Sequence, residues 1–369
     1  SPVLEVREAS QSWEFSGLKA RPVPSLLRHF SAPVKVSYPY SREQLAFLMR
    51  QDTDGFSRWD AAQALAIDVL NEQIQARVAG RPAPVDPDYV QTWLGLFEES
   101  RSDSGLLARL VQIPSVALLV ERLEVIPIDA VLAARDATLA TLVDAARDRL
   151  WQRYEQLMDA ERAQPEDLSP AAMGRRALKN QCLSLLAHGD DGRALNAAVG
   201  QQQAATLMTE EQGALTALLQ SQDGERVAAS LDLFFRRWQK DALVMESWFS
   251  LQAGSQRHTG IGHIRGLTRH PLFSERNPNK VRAVVSTFAN LNWKGFHAID
   301  GSGYGFLLEW VRIMNRLNPQ IAARLITPLT RWRRFEAPRK TLMEEVLRTL
   351  LKEKDLSRDV YEVVFKSLD

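Results

Sequence analysis

The sequence predicts a mainly α-helical protein: an irregular superhelix of the armadillo or HEAT kind, preceded by a short β segment. Three observations carry this. From Ser41 to the end, apolar residues recur with a helical period. Helix-start signals return at short intervals along the same stretch. The helix opening near Gly303 is apolar on two faces, so neighbours must cover it from both sides, as in a stacked array of antiparallel helices. No strict sequence period emerges, so the repeats are expected to be irregular.

Residues 1 to 40 differ in kind. Val6, Trp13, Phe15, Val34, Val36 and Tyr38 alternate with polar neighbours, the period of half-buried strands, and Pro22, Pro24, Pro33 and Pro39 punctuate them. Two or three strands do not make a stable sheet alone. The segment is therefore expected to be the end of a β-domain or an edge docked on helices. This divides the chain into residues 1–40 and 41–369.

Ser41 and Gln44 have capping-box spacing, in which hydroxyl and side-chain amide satisfy orphan amides of a first helical turn. Ser57 with Asp60 and Thr209 with Gln212 repeat that spacing. Ser169-Pro170, Asn277-Pro278 and Asn318-Pro319 read as cap-then-proline starts, because the missing N–H of proline costs nothing at the first helical position. In the helix near Gly303, Tyr304, Leu307, Leu308, Val311 and Met314 form one apolar stripe. Phe306, Trp310, Ile313 and Leu317 form a second, leaving Glu309, Arg312 and Arg316 as a narrow polar strip.

Composition excludes several function classes. Lys+Arg (46) nearly cancels Asp+Glu (45), so nothing advertises a nucleic-acid or membrane partner. The densest basic patch, Arg331, Arg333, Arg334, Arg339 and Lys340, is interrupted by Glu336 and reads as a solvated helix end. Cys182 is the only cysteine and lies in an apolar stretch, which excludes an intrachain disulfide, favours a core role and suits a reducing, cytoplasmic setting. No apolar run approaches the ~18 residues of a membrane span, and the opening SPVLEVREAS lacks the pattern of a signal peptide. A start at Ser1 inside a strand-like pattern is what the C-terminal portion of a longer protein would show.

A search for chemistry finds no catalytic and no metal-binding set. No two of His29, His188, His258, His263, His270 and His297 stand one helical turn apart, as a zincin helix requires. His258, His263 and His270 are five and seven residues apart with no carboxylate between them, a spacing that does not hold ligands on one helix face. No G-x-S-x-G elbow occurs. The glycine-rich HAIDGSGYGF, residues 297–306, neither follows a strand nor carries a P-loop lysine, so Asp300 or Ser302 is expected to cap a helix there, with His297 and Asp300 structural.

That loop nevertheless belongs to a set of ordered blocks: VPSLLRHFSAPVKV (23–36), FSRWDAAQAL (56–65), HPLFSERNPNKVRAVVSTFA (270–289) and NPQIAARLITPL (318–329). Together they resemble the C-terminal part of the bacterial aminopeptidase N family, the alanyl aminopeptidases among the gluzincin zinc metallopeptidases. The similarity runs over nearly the whole chain, densest from 270 to 330 and thin between about 80 and 168. It implies that residues 1–40 end a β-sandwich and that the rest is the helical domain capping the active site. It also implies that zinc and its ligands belong to an upstream catalytic domain, leaving these residues without cofactor and inert alone. By the same resemblance Gln320, Arg324 and Arg282 face the substrate chamber, where an arginine fork suits a peptide carboxylate or carbonyl. Ile299 departs from the family pattern, which has an acidic residue at that position, so no role is carried over to it.

The leading expectation is thus the substrate-gating domain of a cytoplasmic zinc aminopeptidase, with peptides and the upstream domain of the same chain as partners. The alternative is a stand-alone α-solenoid scaffold binding peptides or proteins on its concave face.

Overall fold

The structure, a computed structural model, describes residues 3–98, 103–189, 191–257 and 260–369. Its helices run in chain order: α1 (Arg42–Gln51), α2 (Gly55–Val78), α3 (Pro87–Gly95), α4 (Ser104–Leu110), α5 (Val116–Glu121), α6 (Ile128–Ala163), α7 (Pro170–Leu186), α8 (Gly192–Ala204), α9 (Met208–Leu218), α10 (Gly224–Trp238), α11 (Ala242–Ala253), α12 (Ile261–Thr268), α13 (Pro278–Val281), α14 (Thr287–Leu291), α15 (Trp293–Phe296), α16 (Ser302–Leu317), α17 (Pro319–Leu325), α18 (Ala337–Leu351) and α19 (Arg358–Leu368). A π-helical stretch, Arg282–Ser286, joins α13 to α14, and a 3-10 stretch, Thr327–Arg334, follows α17.

The local signals explain most starts. Ser41 and Gln44 form the full capping box, and Ser169, Asn277 and Asn318 each cap a helix with proline at its beginning. Three starts differ from the sequence reading: α16 has Gly301 as its N-cap residue with no side-chain cap, in place of the expected Asp300 or Ser302. α2 begins at Gly55 because Asp54 is the cap, its carboxylate accepting the Ser57 amide and hydroxyl, each at 2.9 Å. α9 follows Leu207 with no side-chain cap, so Thr209 lies inside the helix.

The apolar faces merge into two adjoining cores. One gathers α1 to α4 with α7 and α8; the other gathers α5 with α10 to α19. The helices α2, α6 and α9 serve both: along α6, Val131 and Ala134 belong to one core, Leu142 and Leu150 to the other. On α16, Tyr304, Phe306, Leu307, Trp310, Val311 and Met314 are buried, so both stripes are covered; Leu317, at the helix end, is 45% exposed. Its polar strip pairs with neighbours, Glu309 with Arg265 and Arg312 with Glu353.

The strand-like pattern before Ser41 does not become a sheet within this chain. Among described residues 3–40 no strand forms, and Val6, Phe15, Val34 and Val36 stand exposed along an irregular path. A period-2 pattern marks residues fit for a sheet but needs partner strands to be realised. The end of the segment is fastened: Arg28 reaches Asp52 at 2.6 Å and Thr53 at 2.7 Å, the Tyr40 hydroxyl donates to the Pro24 carbonyl, and Asp54 accepts the His29 amide.

Gly303 and Gly305 separate packing from propensity. A Cβ on Gly303 would sit 2.2 Å from the Phe296 carbonyl oxygen, whereas one on Gly305 meets nothing within 4 Å. Gly303→Ala is expected to destabilise the chain by about 3 kcal/mol or more, and Gly305→Ala to stabilise it by about 0.5–1 kcal/mol. Urea midpoints of the two variants check this.

Candidate functional site

The HAIDGSGYGF loop is a packed joint. Asn292 caps α15, accepting the Gly295 amide at 3.0 Å while donating to the Ala253 carbonyl. The turn brings His297 inward, 2% exposed, between the rings of Trp293 and Phe335 at 5.3 and 4.6 Å, with its Nδ1 2.8 Å from the Tyr304 hydroxyl. Burial, assisted by the Arg339 charge, pushes the His297 imidazole down to about 3. Asp300 accepts the Ser302 amide at 3.0 Å, which holds its carboxyl low, and Gly301 takes the left-handed φ of 70° that lets the chain enter α16. These groups hold structure and offer no free nucleophile.

The basic patch corrects the reading of a solvated helix end. Arg331 is exposed, but Arg339 is only 4% exposed and donates to the His297 carbonyl and to both Asp129 oxygens, at 2.9 and 3.1 Å. Arg334 donates to the carbonyls of Val120 and Leu123 beyond α5, and Arg333 to those of Ser367 and Leu368 at the end of α19. The reason is that helix C-termini leave carbonyls unpaired, and a guanidinium fork satisfies several at once.

Cys182 is fully buried and its thiol is pushed up to about 12 by burial, as befits a core residue. His258 lies outside the described residues. His270 packs against the rings of Phe235, Trp248 and Phe249, and its Nδ1 accepts the Leu272 amide. Among the described residues no three His, Cys, Asp or Glu side chains are grouped so as to hold a metal. The zinc implied by the resemblance finds no fitting ligand set among the described residues.

Gln320 and Arg324 stand four apart on one face of α17, opposite the buried Ile321, Ala322 and Leu325. Both are exposed, and neither side chain has a hydrogen-bond or ion-pair partner among the described residues. Arg282 is not beside them in any contact described. It opens the π-helical stretch, is exposed, and donates to Asn279 one turn back. There it lines an open groove of about 590 Å3 across α9, α11 and the α13–α14 helix, with Gln212, Leu243, Glu246, Ser250 and Ser286. The sequence reading named Gln212 only for its capping-box spacing with Thr209 and gave none of these companions a binding role. The signal available was faint: Leu243, Ser247 and Ser250 recur at one helical face of α11, exposed or half-buried rather than core.

Histidine burial has a measurable consequence. With a folded value of about 3 against an ordinary 6.5, His297 stays neutral while the unfolded chain takes up a proton. Its contribution is nil above pH 6.5 and becomes a loss of stability as pH falls from 6.5 towards 3. His188 and His270, also lowered by burial, add in the same direction. Denaturant midpoints between pH 6.5 and 5, where most carboxylates stay ionised, should fall for the wild type and fall less for His297→Phe.

The chain shares 36% identity with aminopeptidase N of Escherichia coli over 99% of its own length and 42% of that protein. It shares 34% with aminopeptidase N of Haemophilus influenzae over all of its length and again 42% of the relative. The chain thus spans less than half the length of these relatives. Among solved structures, an aminopeptidase A of Legionella pneumophila in complex with aspartic acid superposes with a TM-score of 0.83 at 27% identity, covering 96% of this chain and 42% of that one. Residues 1–39 match a domain of unknown function (DUF3458) with an Ig-like fold, in keeping with the strand-like pattern read there. Since the companion domain (DUF3458_C), described as ARM repeats, matches residues 42–369, the chain belongs to that family of helical-repeat domains and resembles the C-terminal part of aminopeptidase N.

Proposed function

We propose that this chain is the C-terminal helical portion of a cytoplasmic, zinc-dependent aminopeptidase N, and that it caps the active site and governs which peptide ends reach it. The observation that carries the reading is the collinear similarity to aminopeptidase N over 99% of the chain. In this reading residues 1–40 complete a β-sandwich and residues 41–369 form the cap. The exposed apolar residues before Ser41 support that division, since they match an Ig-like fold yet lack partner strands here. Zinc and the residues that act on the peptide bond reside in the part of the relatives that this chain does not span, so these residues alone are inert.

Gln320 and Arg324 are the substrate-facing pair, with Arg282 as a further contact. An arginine without an internal partner keeps its fork of donors for a carbonyl or carboxylate. Peptides that reach α17 gain from it; short ones that end before it do not.

The first test is the mass of the native protein followed by an aminoacyl-anilide assay. A species far larger than 41.6 kDa that carries zinc and hydrolyses the anilide is expected. A free, inactive 41.6 kDa protein would sink the proposal and leave a stand-alone helical scaffold. In the large species, Arg324→Ala is expected to raise KM several-fold for longer peptides with little change in kcat, as loss of uniform binding does. Equal kinetics across peptide lengths would remove Arg324 from the site.

A further inference from the structure

We infer that the helical array consists of two rigid bodies that bend against each other across a polar seam, with the pivot in α6 between Ala134 and Leu139. The first body holds α1 to α4, the later turns of α6, α7 and α8; the second holds α5, the first turns of α6 and α10 to α19.

The chain passes from one apolar core to the other between Ile113 and Val116 and again between Ala134 and Leu139. Both crossings carry polar contacts. Arg135, on the second crossing, donates from Nε to the Pro114 carbonyl on the first, at 3.0 Å. Gln73 of α2 donates from Nε2 to Thr138 Oγ1 at 2.8 Å, and with exposures of 2% and 0% this contact lies inside the molecule. A third tie joins the two sides where Arg257, beyond α11, donates to the His188 carbonyl beyond α7, at 3.1 Å. Charged pairs such as Glu161 with Arg176 lie inside the first body, and Asp129 with Arg339 and Glu309 with Arg265 inside the second.

Apolar surfaces that have packed together cannot part without opening gaps that forfeit contacts on both sides. A polar contact is different, because water replaces the lost partner at small net cost. The seam is therefore the line of least resistance through the array. Helix α6 is suited to bend there: the Thr138 hydroxyl, while accepting from Gln73, donates to the Ala134 carbonyl at 2.9 Å, and Thr141 donates to the Ala137 carbonyl at 2.9 Å. Such back-bonds compete with the helical ladder and bend helices. Helices α2 and α9 turn one face to each core; on α2, Ala66 and Val69 belong to the first and Ile67 and Leu70 to the second. They keep the bodies in contact, so the motion is a bend and not a separation.

The bend moves α17, with Gln320 and Arg324, relative to the end of residues 3–40 that Arg28 fastens to Asp52 in the first body. In the function proposed above, that motion widens and narrows the path of a peptide towards α17; the seam itself stands on packing alone.

The test is pulsed electron–electron double resonance on the 369-residue chain, with spin labels on surface cysteines, since the buried Cys182 takes none. One pair spans the seam: Gln91→Cys on α3 with Glu345→Cys on α18, both exposed. Two pairs stay within a body: Gln91→Cys with Gln156→Cys, and Glu225→Cys with Glu345→Cys. The distance distribution across the seam is expected to be at least about twice as wide as either distribution within a body. Gln73→Leu combined with Thr138→Val, which joins the cores by apolar packing, should narrow it to the within-body width. Arg265→Met, at a surface pair inside the second body, should leave it unchanged. Equal widths for the three pairs, a width unaltered by the double replacement, or equal narrowing by Arg265→Met overturns the hinge. Should the double variant not fold, the comparison of the three label pairs without it decides alone.

Discussion

One buried guanidinium holds together parts of the chain that sequence keeps far apart. Arg339 is 4% exposed and joins the carbonyl of His297, the neighbouring Glu336 and, 210 residues away, the carboxylate of Asp129 at the start of α6. Removing it would leave the carbonyl of buried His297 short of a partner, which costs more than losing a surface pair, whereas the exposed Asp129 carboxylate would turn to water. Arg334 strengthens the same closure at the end of α5, and the Ile126 amide donates to the Arg334 carbonyl at 2.6 Å. A stacked helical array ordinarily relies on contacts between neighbours; here the last third of the chain is also tied back to the first.

This closure gives the exposed face of α17 a fixed setting. The helix lies between α16, whose Tyr304 engages His297, and the 3-10 stretch that ends at Arg334. Its own apolar side enters the common core through Ile321, Ala322 and Leu325. Gln320 and Arg324 therefore project from a rigid support although they have no partners themselves. A binding side chain needs that combination, because ordering the support beforehand reduces what must be ordered when a ligand arrives.

Much of the fold was legible because its signals are local. Capping boxes, cap-proline pairs and two-sided apolar helices each need only a few consecutive residues, and they located the starts at Ser41, Ser169, Asn277 and Asn318, but not the one at Asp54, where an earlier carboxylate outcompeted the serine. The basic patch was misjudged for the opposite reason. Density of charge along the sequence says nothing about carbonyls at Val120 or Ser367, or about a carboxylate at Asp129, that wait for those arginines in space. Alternation before Ser41 was read correctly as a pattern, yet a pattern fit for a sheet cannot supply the other strands.

The candidate sites divide along the same line. Resemblance singled out Gln320, Arg324 and Arg282, whereas periodicity and composition gave no reason to prefer these arginines over the others. The groove around Arg282 was illegible in sequence, since it needs Gln212, Glu246 and Ser286 from three helices, together with a π-helical register shift that no residue type announces. Structure adds the distinction between polar groups that are satisfied and those that are not. His297 is polar too, but its ring is stacked, hydrogen-bonded and held neutral, so it serves the fold. Arg324 and the residues lining the Arg282 groove leave donors and acceptors open at the surface, where only a ligand or water completes them. Under the function proposed above, those open groups are where recognition acts.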